Sequence, residues 1–402
     1  MTRPRFSVVL SNPGFLLLWM GQLLSQLADR IFIYILMILA YSLTKSNLGV
    51  SIPMLSFGIP SIIFGSLAGV YADRLDRKGI MVVSCILRGM LILLLVPLVH
   101  KSITSIFLVS FLIYTVAQFF APAESSSIPE LVEKKNLIVA NSLFMITWMG
   151  ASMIGFGLGA PLMNWIGEQG TFVLSASFYL ISSGLIFLVP IKYQVSDSIS
   201  PTGHILNDLK NGLDYINKNL LVSYSLFKMF IATSALAVVS LLAISYAKEV
   251  LMIGERNFGY LVIAAGLGMF VGMAFLGRVS HFFKKAAIIV TSFIVSGISL
   301  FLLAAVSDIK LALFLIFILG IGNILINSSI QTILQSVVPS GMRGRVFGVQ
   351  NMLINSAFTF PLLIFGAIAD FWGIRFAIAI LGATMIAGGF VGFLGKGFKA
   401  SS

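Results

Sequence analysis

The stretch GVYADRLDRKGIM, residues 69–81, places five charged side chains between two long apolar runs. Its spacing is Gly-x-x-x-Asp-Arg-x-x-Arg-Lys, beginning at Gly69. A glycine lets two membrane helices approach closely. An acid at a helix end, here Asp73, is most stable beside a cation or the N-terminus of another helix. The stretch therefore indicates a short charged turn that joins two membrane-spanning helices.

The composition of the whole chain extends this interpretation. Of its 402 residues, 58% are hydrophobic and 10% are charged, whereas a soluble protein has roughly a quarter charged residues. Apolar runs of about 20 residues recur from end to end, and this is the length that a helix needs to cross a bilayer. The formal net charge is +12. Its basic residues lie mostly in short loops, which is typical of membrane topology and argues against nucleic-acid binding.

Several kinds of chemistry have no support in the sequence. Cys85 is the only cysteine, so a disulfide within the chain and a metal-thiolate site are both excluded. The three histidines fall in loops or at the ends of apolar runs, and no paired-acid motif lies inside one. The phosphate-binding pattern Gly-x-x-x-x-Gly-Lys-Ser/Thr is also missing. We therefore expect neither an enzyme nor an ATP-driven pump, and no metal or cofactor.

The apolar runs predict twelve membrane spans, with the first kept as a helix and not cleaved as a signal peptide. The predicted spans are 14–41, 48–72, 80–99, 103–122, 138–163, 170–190, 220–247, 256–278, 285–305, 309–336, 345–371 and 374–395. The longest apolar break is 191–219, and its apolar residues at helical spacing predict an amphipathic helix on the membrane surface. The predicted organisation is therefore a six-helix bundle over 1–190, a linker over 191–219 and a second six-helix bundle over 220–402.

The distribution of basic residues predicts the orientation in the membrane. With the N-terminus inside, 17 of the 26 Lys and Arg residues fall on the inner side and 6 fall in the outer loops. Both termini and the linker are therefore expected to face the cytoplasm. The remaining three, Arg30, Arg88 and Lys228, fall within predicted spans. The turns at 129–143 and 336–353 repeat the same layout about half a chain apart, as expected for a duplicated bundle.

The charged turn at 69–81 resembles the signature loop of the major facilitator superfamily, although Asp76 stands where that family usually has glycine. The segment RGRVFG, residues 343–348, resembles the drug-efflux branch of that family, which includes macrolide efflux pumps and siderophore exporters. The resemblance covers nearly the whole chain. It implies an all-α membrane protein of twelve transmembrane helices in two pseudo-symmetric six-helix bundles, working as a monomer.

The resemblance also implies a conformational latch on the cytoplasmic side. In the family, the acid that matches Asp73 contacts the start of the eleventh helix, which here is the region of Arg345 to Gly348. Arg77 would pair with nearby acids. The predicted latch residues are Gly69, Asp73, Arg74, Arg77, Arg343 and Arg345. The alternative is a solvated charged loop that only sets topology.

A polar stripe crosses the first span, because Gln22, Gln26 and Asp29 share one helix face and Arg30 is adjacent. The resemblance places spans 1, 4, 7 and 10 around a central cavity. The predicted residues of the substrate and coupling cavity are Gln22, Gln26, Asp29, Arg30, Tyr114, Gln118, Lys228, Asn323, Asn327 and Gln331. An acid at mid-membrane is costly unless it is paired, hydrated or protonated. Asp29 is thus either the carrier of a coupling proton or half of a structural ion pair.

The sequence leaves the partner of Asp29 open among Arg30, Arg88 and Lys228. It also leaves the coupling ion open. Ile113 stands where proton-coupled relatives often carry arginine, and the fifth span departs from the antiporter pattern at Phe156 and Ala160.

The function that this sequence favours is secondary active export of amphipathic, drug-like molecules from the bacterial cytoplasm by alternating access, with a proton as the possible coupling ion. The alternatives are a lipid or lysolipid flippase, or transport of one metabolite such as a siderophore. The expected partners are a small amphipathic substrate, a proton and membrane lipids, with no nucleic acid. The expected location is the inner membrane.

Overall fold

The computed structural model describes residues 6–98, 102–133, 136–191, 205–339 and 342–390, and these residues form fifteen α-helices and no β-strand. The chain divides into two compact units. Unit 1 comprises Met1–Lys45 with Leu55–Ser200, and unit 2 comprises Ser46–Met54 with Pro201–Ser402. The predicted boundaries at 190 and 219 stay a prediction.

The helices of the first part of the chain cover six predicted spans. They are α1 (Phe6–Leu10), α2 (Pro13–Thr44), α3 (Asn47–Arg74), α4 (Arg77–Leu95), α5 (Ile103–Leu131), α6 (Leu137–Trp165) and α7 (Gly167–Phe187). Polar side chains begin several of them by accepting hydrogen bonds from first-turn N–H groups, which have no partner within the helix. Asn12 does this for α2, Asp76 for α4 and Ser102 for α5.

The helices of the second part begin in the linker. They are α8 (Ile205–Lys218), α9 (Leu220–Ser245), α10 (Gly259–Phe282), α11 (Lys285–Ala305), α12 (Ile309–Val337), α13 (Arg343–Ala357), α14 (Phe360–Trp372) and α15 (Ile374–Phe390). The helix α8 lies within the segment where the sequence predicts an amphipathic helix, and the other linker residues, 192–204, lie outside the described part of the chain.

Among the described residues, eleven stretches are long and apolar enough to cross a membrane, and α15 is a shorter apolar helix at the place of the twelfth predicted span. Two details differ from the predicted spans. The helix α5 runs to Leu131, nine residues beyond the predicted end at 122, and it contains Pro122 and Pro129. Membrane helices tolerate proline because neighbouring groups satisfy the freed backbone carbonyls.

The eleventh span, predicted as one helix over 345–371, is divided into α13 and α14 by Phe358 and Thr359. Pro361 explains the break, because it has no N–H and its ring would clash with the carbonyl of Ala357. Discontinuous helices of this kind are common in secondary transporters.

Packing in unit 1 places α2 against α6 and α7, and α4 against α5 and α7. Two glycines of α6 permit the approach of α2. A Cβ atom on Gly155 would overlap the side chain of Arg30, and one on Gly159 would overlap the ring of Tyr34. Small residues at such interfaces are how membrane helices gain close van der Waals contact.

In unit 2, the end of α14 holds the beginning of α3. The carboxylate of Asp370 accepts hydrogen bonds from the Asn47 N–H at 2.8 Å, the Leu48 N–H at 2.9 Å and the Ser46 hydroxyl at 2.6 Å. A carboxylate at this place caps the free N–H groups of α3 and complements the positive end of its dipole.

Candidate transport site

A buried ionic cluster lies inside unit 1 at the place where the sequence predicted an acid in the membrane. Asp29 is near the middle of α2. Its Oδ2 atom lies 3.6 Å from Nη1 of Arg88 on α4, and its Oδ1 atom accepts a hydrogen bond from the Tyr179 hydroxyl on α7. The side chain of Arg88 is 2% exposed and that of Asp29 is 18% exposed. We call Asp29, Arg88 and Tyr179 the ionic cluster.

Two hydrogen bonds and two aromatic rings contact the guanidinium of Arg88. It donates to the Tyr179 hydroxyl at 3.4 Å and to the Ser84 carbonyl at 3.3 Å. Its central carbon lies 4.4 Å from the centre of the Tyr179 ring and 4.9 Å from that of Phe120. Ring faces attract a desolvated cation, and a planar guanidinium stacks on them well. The cluster is therefore a set of mutually stabilising charges in a medium where an isolated charge would be costly.

The thiol of Cys85 borders the same cluster. Its sulfur lies 3.6 Å from Nη2 of Arg88 and 3.6 Å from the Ser182 hydroxyl oxygen. The side chain is fully buried.

The structure pairs Asp29 with Arg88, one of the three partners that the sequence left open. The guanidinium of Arg30 lies instead over the Trp148 ring, 5.4 Å from its centre. Lys228 is fully buried within unit 2, where its Nζ donates to the Gly389 carbonyl at 3.2 Å.

The other predicted cavity residues of unit 1 are packed to different degrees. Gln22 is buried and its amide nitrogen lies 3.5 Å from the Phe144 carbonyl on α6. Tyr114 is buried on α5, and its hydroxyl has no hydrogen-bond partner. Gln26 is half-buried, and so is Gln118, which donates to the Tyr114 carbonyl at 3.2 Å. That these side chains line a substrate cavity stays a prediction.

Unit 2 contains a ladder of amides along α12. Asn323 donates to the Ala232 carbonyl at 2.8 Å, and Asn327 donates to the Asn323 side-chain oxygen at 3.0 Å. Further along, Gln350 of α13 donates to the Gln331 side-chain oxygen at 2.6 Å. The side-chain oxygens of Asn327 and Gln350 are buried and accept no hydrogen bond within the described part of the chain. We call these four residues, Asn323, Asn327, Gln331 and Gln350, the amide ladder.

The predicted latch residues are only partly described. Arg77 forms an ion pair with Glu130 and donates to the Ser126 carbonyl at 3.0 Å, both on α5. Arg343 donates to the carbonyls of Gln335 and Val338 at 3.1 and 3.3 Å, which closes the end of α12.

The surroundings of Gly69 and the side chains of Asp73 and Arg74 lie outside the described part of the structure. Arg345 is half-buried, and its backbone packs against Gly212 of α8. The latch therefore stays a prediction.

Two residues of these sites, Tyr179 and Gln350, and one further buried acid, Glu124, were missed by the sequence analysis. Tyr179 is one of several polar residues of α7 and belongs to no predicted polar stripe, so nothing in the sequence singled it out. Gln350 lies within the predicted eleventh span and is not among the predicted cavity residues. Glu124 was placed in a loop because the fourth span was predicted to end at 122, whereas α5 carries it inside the helix.

Comparison with known proteins agrees with the architecture. A family model described as Major Facilitator Superfamily matches residues 18–361 and 226–399. The chain is 25% identical to YfiS, an MFS-type transporter of Bacillus subtilis, over 98% of this chain and 95% of that protein. It is 27% identical to the putative bacilysin exporter BacE of Bacillus subtilis, over 84% of each. It is 22% identical to macrolide efflux protein A of Streptococcus pyogenes, over 92% of this chain and 93% of that protein.

Among solved structures, the nucleoside transporter NupG is similar with a TM-score of 0.76 at 13% identity, covering 96% of this chain and 98% of that one. The predicted fold class, an all-α membrane protein with the major facilitator fold, is thus confirmed. The relatives are transporters and not enzymes, as the sequence predicted.

Proposed function

The chain belongs to the Major Facilitator Superfamily, and we propose from that premise that it exports amphipathic small molecules by alternating access, with a proton as the coupling ion. It is a multi-pass membrane protein with efflux-type relatives. We place it in the bacterial inner membrane with both termini in the cytoplasm, because the basic residues concentrate on that side.

The ionic cluster is the observation that supports proton coupling. Asp29 sits near the middle of a membrane-spanning helix, and Arg88 is its ionic partner. Ionisable groups at this depth are costly, and they are typical of ion pathways and proton relays in transporters. The partial exposure of Asp29, 18%, leaves its carboxylate within reach of water or a bound molecule. Export is supported by the relatives, two of which carry names of exporters or efflux proteins.

The test is proton release by the purified protein in weakly buffered detergent, followed with a pH-sensitive dye. Three probes cover the proposed substrate classes: tetraphenylphosphonium, erythromycin and a hydroxamate siderophore. We expect at least one probe to bind and to release protons from the wild type. The release should disappear in Asp29→Asn and persist in Asp214→Asn, which makes the same change at an exposed position of α8.

Two outcomes would contradict the proposal. Binding of a probe without proton release in the wild type would exclude the proton as the coupling ion. Failure of both tetraphenylphosphonium and erythromycin to bind would exclude the amphipathic substrate class.

A polar metabolite as the exported molecule is the second candidate, and the amide ladder favours it. The buried side-chain oxygens of Asn327 and Gln350 have no donor, and a buried acceptor without a partner costs about 1–3 kcal/mol. A substrate with N–H or O–H groups would satisfy them. Under this candidate, Gln350→Leu weakens binding of the siderophore and leaves binding of tetraphenylphosphonium unchanged, whereas equal effects on both probes would count against it.

A further inference from the structure

A second carboxyl group, that of Glu124, lies inside unit 1 and takes part in no contact described so far. Its side chain on α5 is 8% exposed, and its Oε1 atom is buried and accepts no hydrogen bond from the residues that the structure describes. An ionised carboxylate in such a place would lack the donors that stabilise it. Packing alone gives no reason for an acid here, since an apolar side chain would fill the same space without this cost.

The contacts between α4 and α5 place Glu124 beside the ionic cluster. Arg88 stacks on Phe120, and Glu124 follows Phe120 by four residues on the same face of α5. Further along α5, Arg77 contacts Ser126 and Glu130. Glu124 therefore lies along α5 between the contacts made by Arg88 and those made by Arg77, on the side of the cluster that leads to the proposed cytoplasmic face.

The charged groups around Glu124 are few. The helices in contact with α5 are α4, α2, α6 and α3, and α3 packs the rings of Phe57 and Tyr71 against Tyr114 and Phe119. Among the described residues, the charged side chains that influence the Glu124 carboxyl are Arg88 on α4 and Asp29 on α2. The sequence of α6 contains no titratable side chain. The two carboxyl groups and the one guanidinium thus influence one another electrostatically, and a single proton makes the set of three neutral.

We propose that Glu124 carries the exchangeable proton, and that Asp29 and Glu124 take turns as the ionic partner of Arg88. The present structure shows Arg88 with Asp29, and the proton is then on Glu124. When the O–H bond of Glu124 breaks and the proton leaves to the cytoplasmic side, the new carboxylate attracts Arg88. Asp29 loses its partner, and it forms an O–H bond with a proton from the opposite side only later in the cycle, so substrate binding releases a proton before another is taken up.

This exchange rests on the proposed function for its direction, but its test needs no substrate. The infrared spectrum of the full-length protein in a glycoside detergent, which has no ester carbonyl group, shows the C=O stretching band of protonated carboxyl groups. We expect this band in the wild type, its loss in Glu124→Gln and its retention in Glu133→Gln, an exposed acid just beyond α5. Glu124→Asp keeps a carboxyl group and should shift the band without removing it, which assigns the band even if the Gln variant folds poorly.

Asp29→Asn tests the exchange itself. It frees Arg88 from Asp29, so the guanidinium should pair with Glu124 and the band should weaken at the same pH. An unchanged band in Glu124→Gln would refute the assignment of the proton. Loss in Glu124→Gln with no weakening in Asp29→Asn would refute the exchange of Arg88.

The two proposals fail in different experiments. Proton release on probe addition in the wild type, combined with an infrared band that is unchanged in Glu124→Gln, would support proton-coupled export and show that another group carries the proton. The reverse result, a Glu124 band without proton release for any probe, would overturn proton-coupled export while the exchange of Arg88 survives.

Discussion

Replacing Arg88 by methionine tests how strongly the ionic cluster stabilises unit 1. Methionine keeps much of the side-chain length but removes the guanidinium. Asp29 then loses an ion pair at 3.6 Å, and Tyr179 and Phe120 lose the cation above their rings. The variant should fold, because its side chain is apolar in an apolar surrounding, and it should be less stable.

The expected loss can be worked out from burial. Removal of one partner of a buried ion pair costs about 3–5 kcal/mol. Asp29 is 18% exposed, so water can still solvate its carboxylate in part, and we take the lower end, about 3 kcal/mol. Asp29→Asn should cost about 2 kcal/mol, because the amide oxygen still accepts from Tyr179 while Arg88 loses its ion pair with Asp29 and regains one only if Glu124 gives up its proton. In the double variant no unpaired charge remains, so its loss should be about 2 kcal/mol, below that of Arg88→Met and far below the sum of about 5.

The assay is the free energy of unfolding of purified protein in mixed micelles, obtained by titration with sodium dodecyl sulfate and followed by circular dichroism. The coupling energy of Arg88 and Asp29 is expected at about 3 kcal/mol. Single-variant losses that add within about 0.5 kcal/mol in the double variant would show that the two charges do not stabilise each other, and would refute the reasoning.

Other predictions concern packing, capping and the surface. Gly159→Leu should lower the free energy of unfolding by about 1–3 kcal/mol, since its side chain would overlap a ring on α2. Gly150→Leu on the same helix has open space and should change it far less; equal losses would contradict the packing argument. Asp370→Ala should cost about 1 kcal/mol through loss of the cap on α3, seen as a lower midpoint of thermal unfolding, and an unchanged midpoint would count against the cap. Glu130→Gln breaks the ion pair with Arg77, whose two side chains are 26% and 31% exposed. The free energy of unfolding should therefore fall by less than about 1 kcal/mol.

The fold was predictable because the bilayer imposes simple requirements on a sequence. Apolar runs of sufficient length had to be helices, and their number and spacing gave the architecture that the family comparison confirms. The errors came from proline. Pro122 does not end α5, since a membrane helix tolerates it there. Pro361 interrupts the eleventh span, because its ring excludes a helical turn at Ala357.

The site was predictable only as a list of candidates. Helical spacing put Gln22, Gln26 and Asp29 on one face, but the partner of Asp29 lies on another helix, and sequence spacing carries no information about it. Tyr179 is tied to Asp29 only by the packing of α7 against α2. Glu124 was missed because the span that carries it was predicted to end at residue 122. Contacts between helices, and not the helices themselves, were what the sequence could not supply.

The position of Cys85 has a practical consequence. The chain carries one thiol, and it lies fully buried against the guanidinium of Arg88. Any motion that draws Arg88 away from Asp29 also alters the surroundings of that sulfur. A membrane-permeant maleimide would therefore react at a single, naturally placed position. The rate at which this chain is labelled in native membranes, read after the chain is isolated, would measure how often the interior of unit 1 opens. No engineered cysteine is needed.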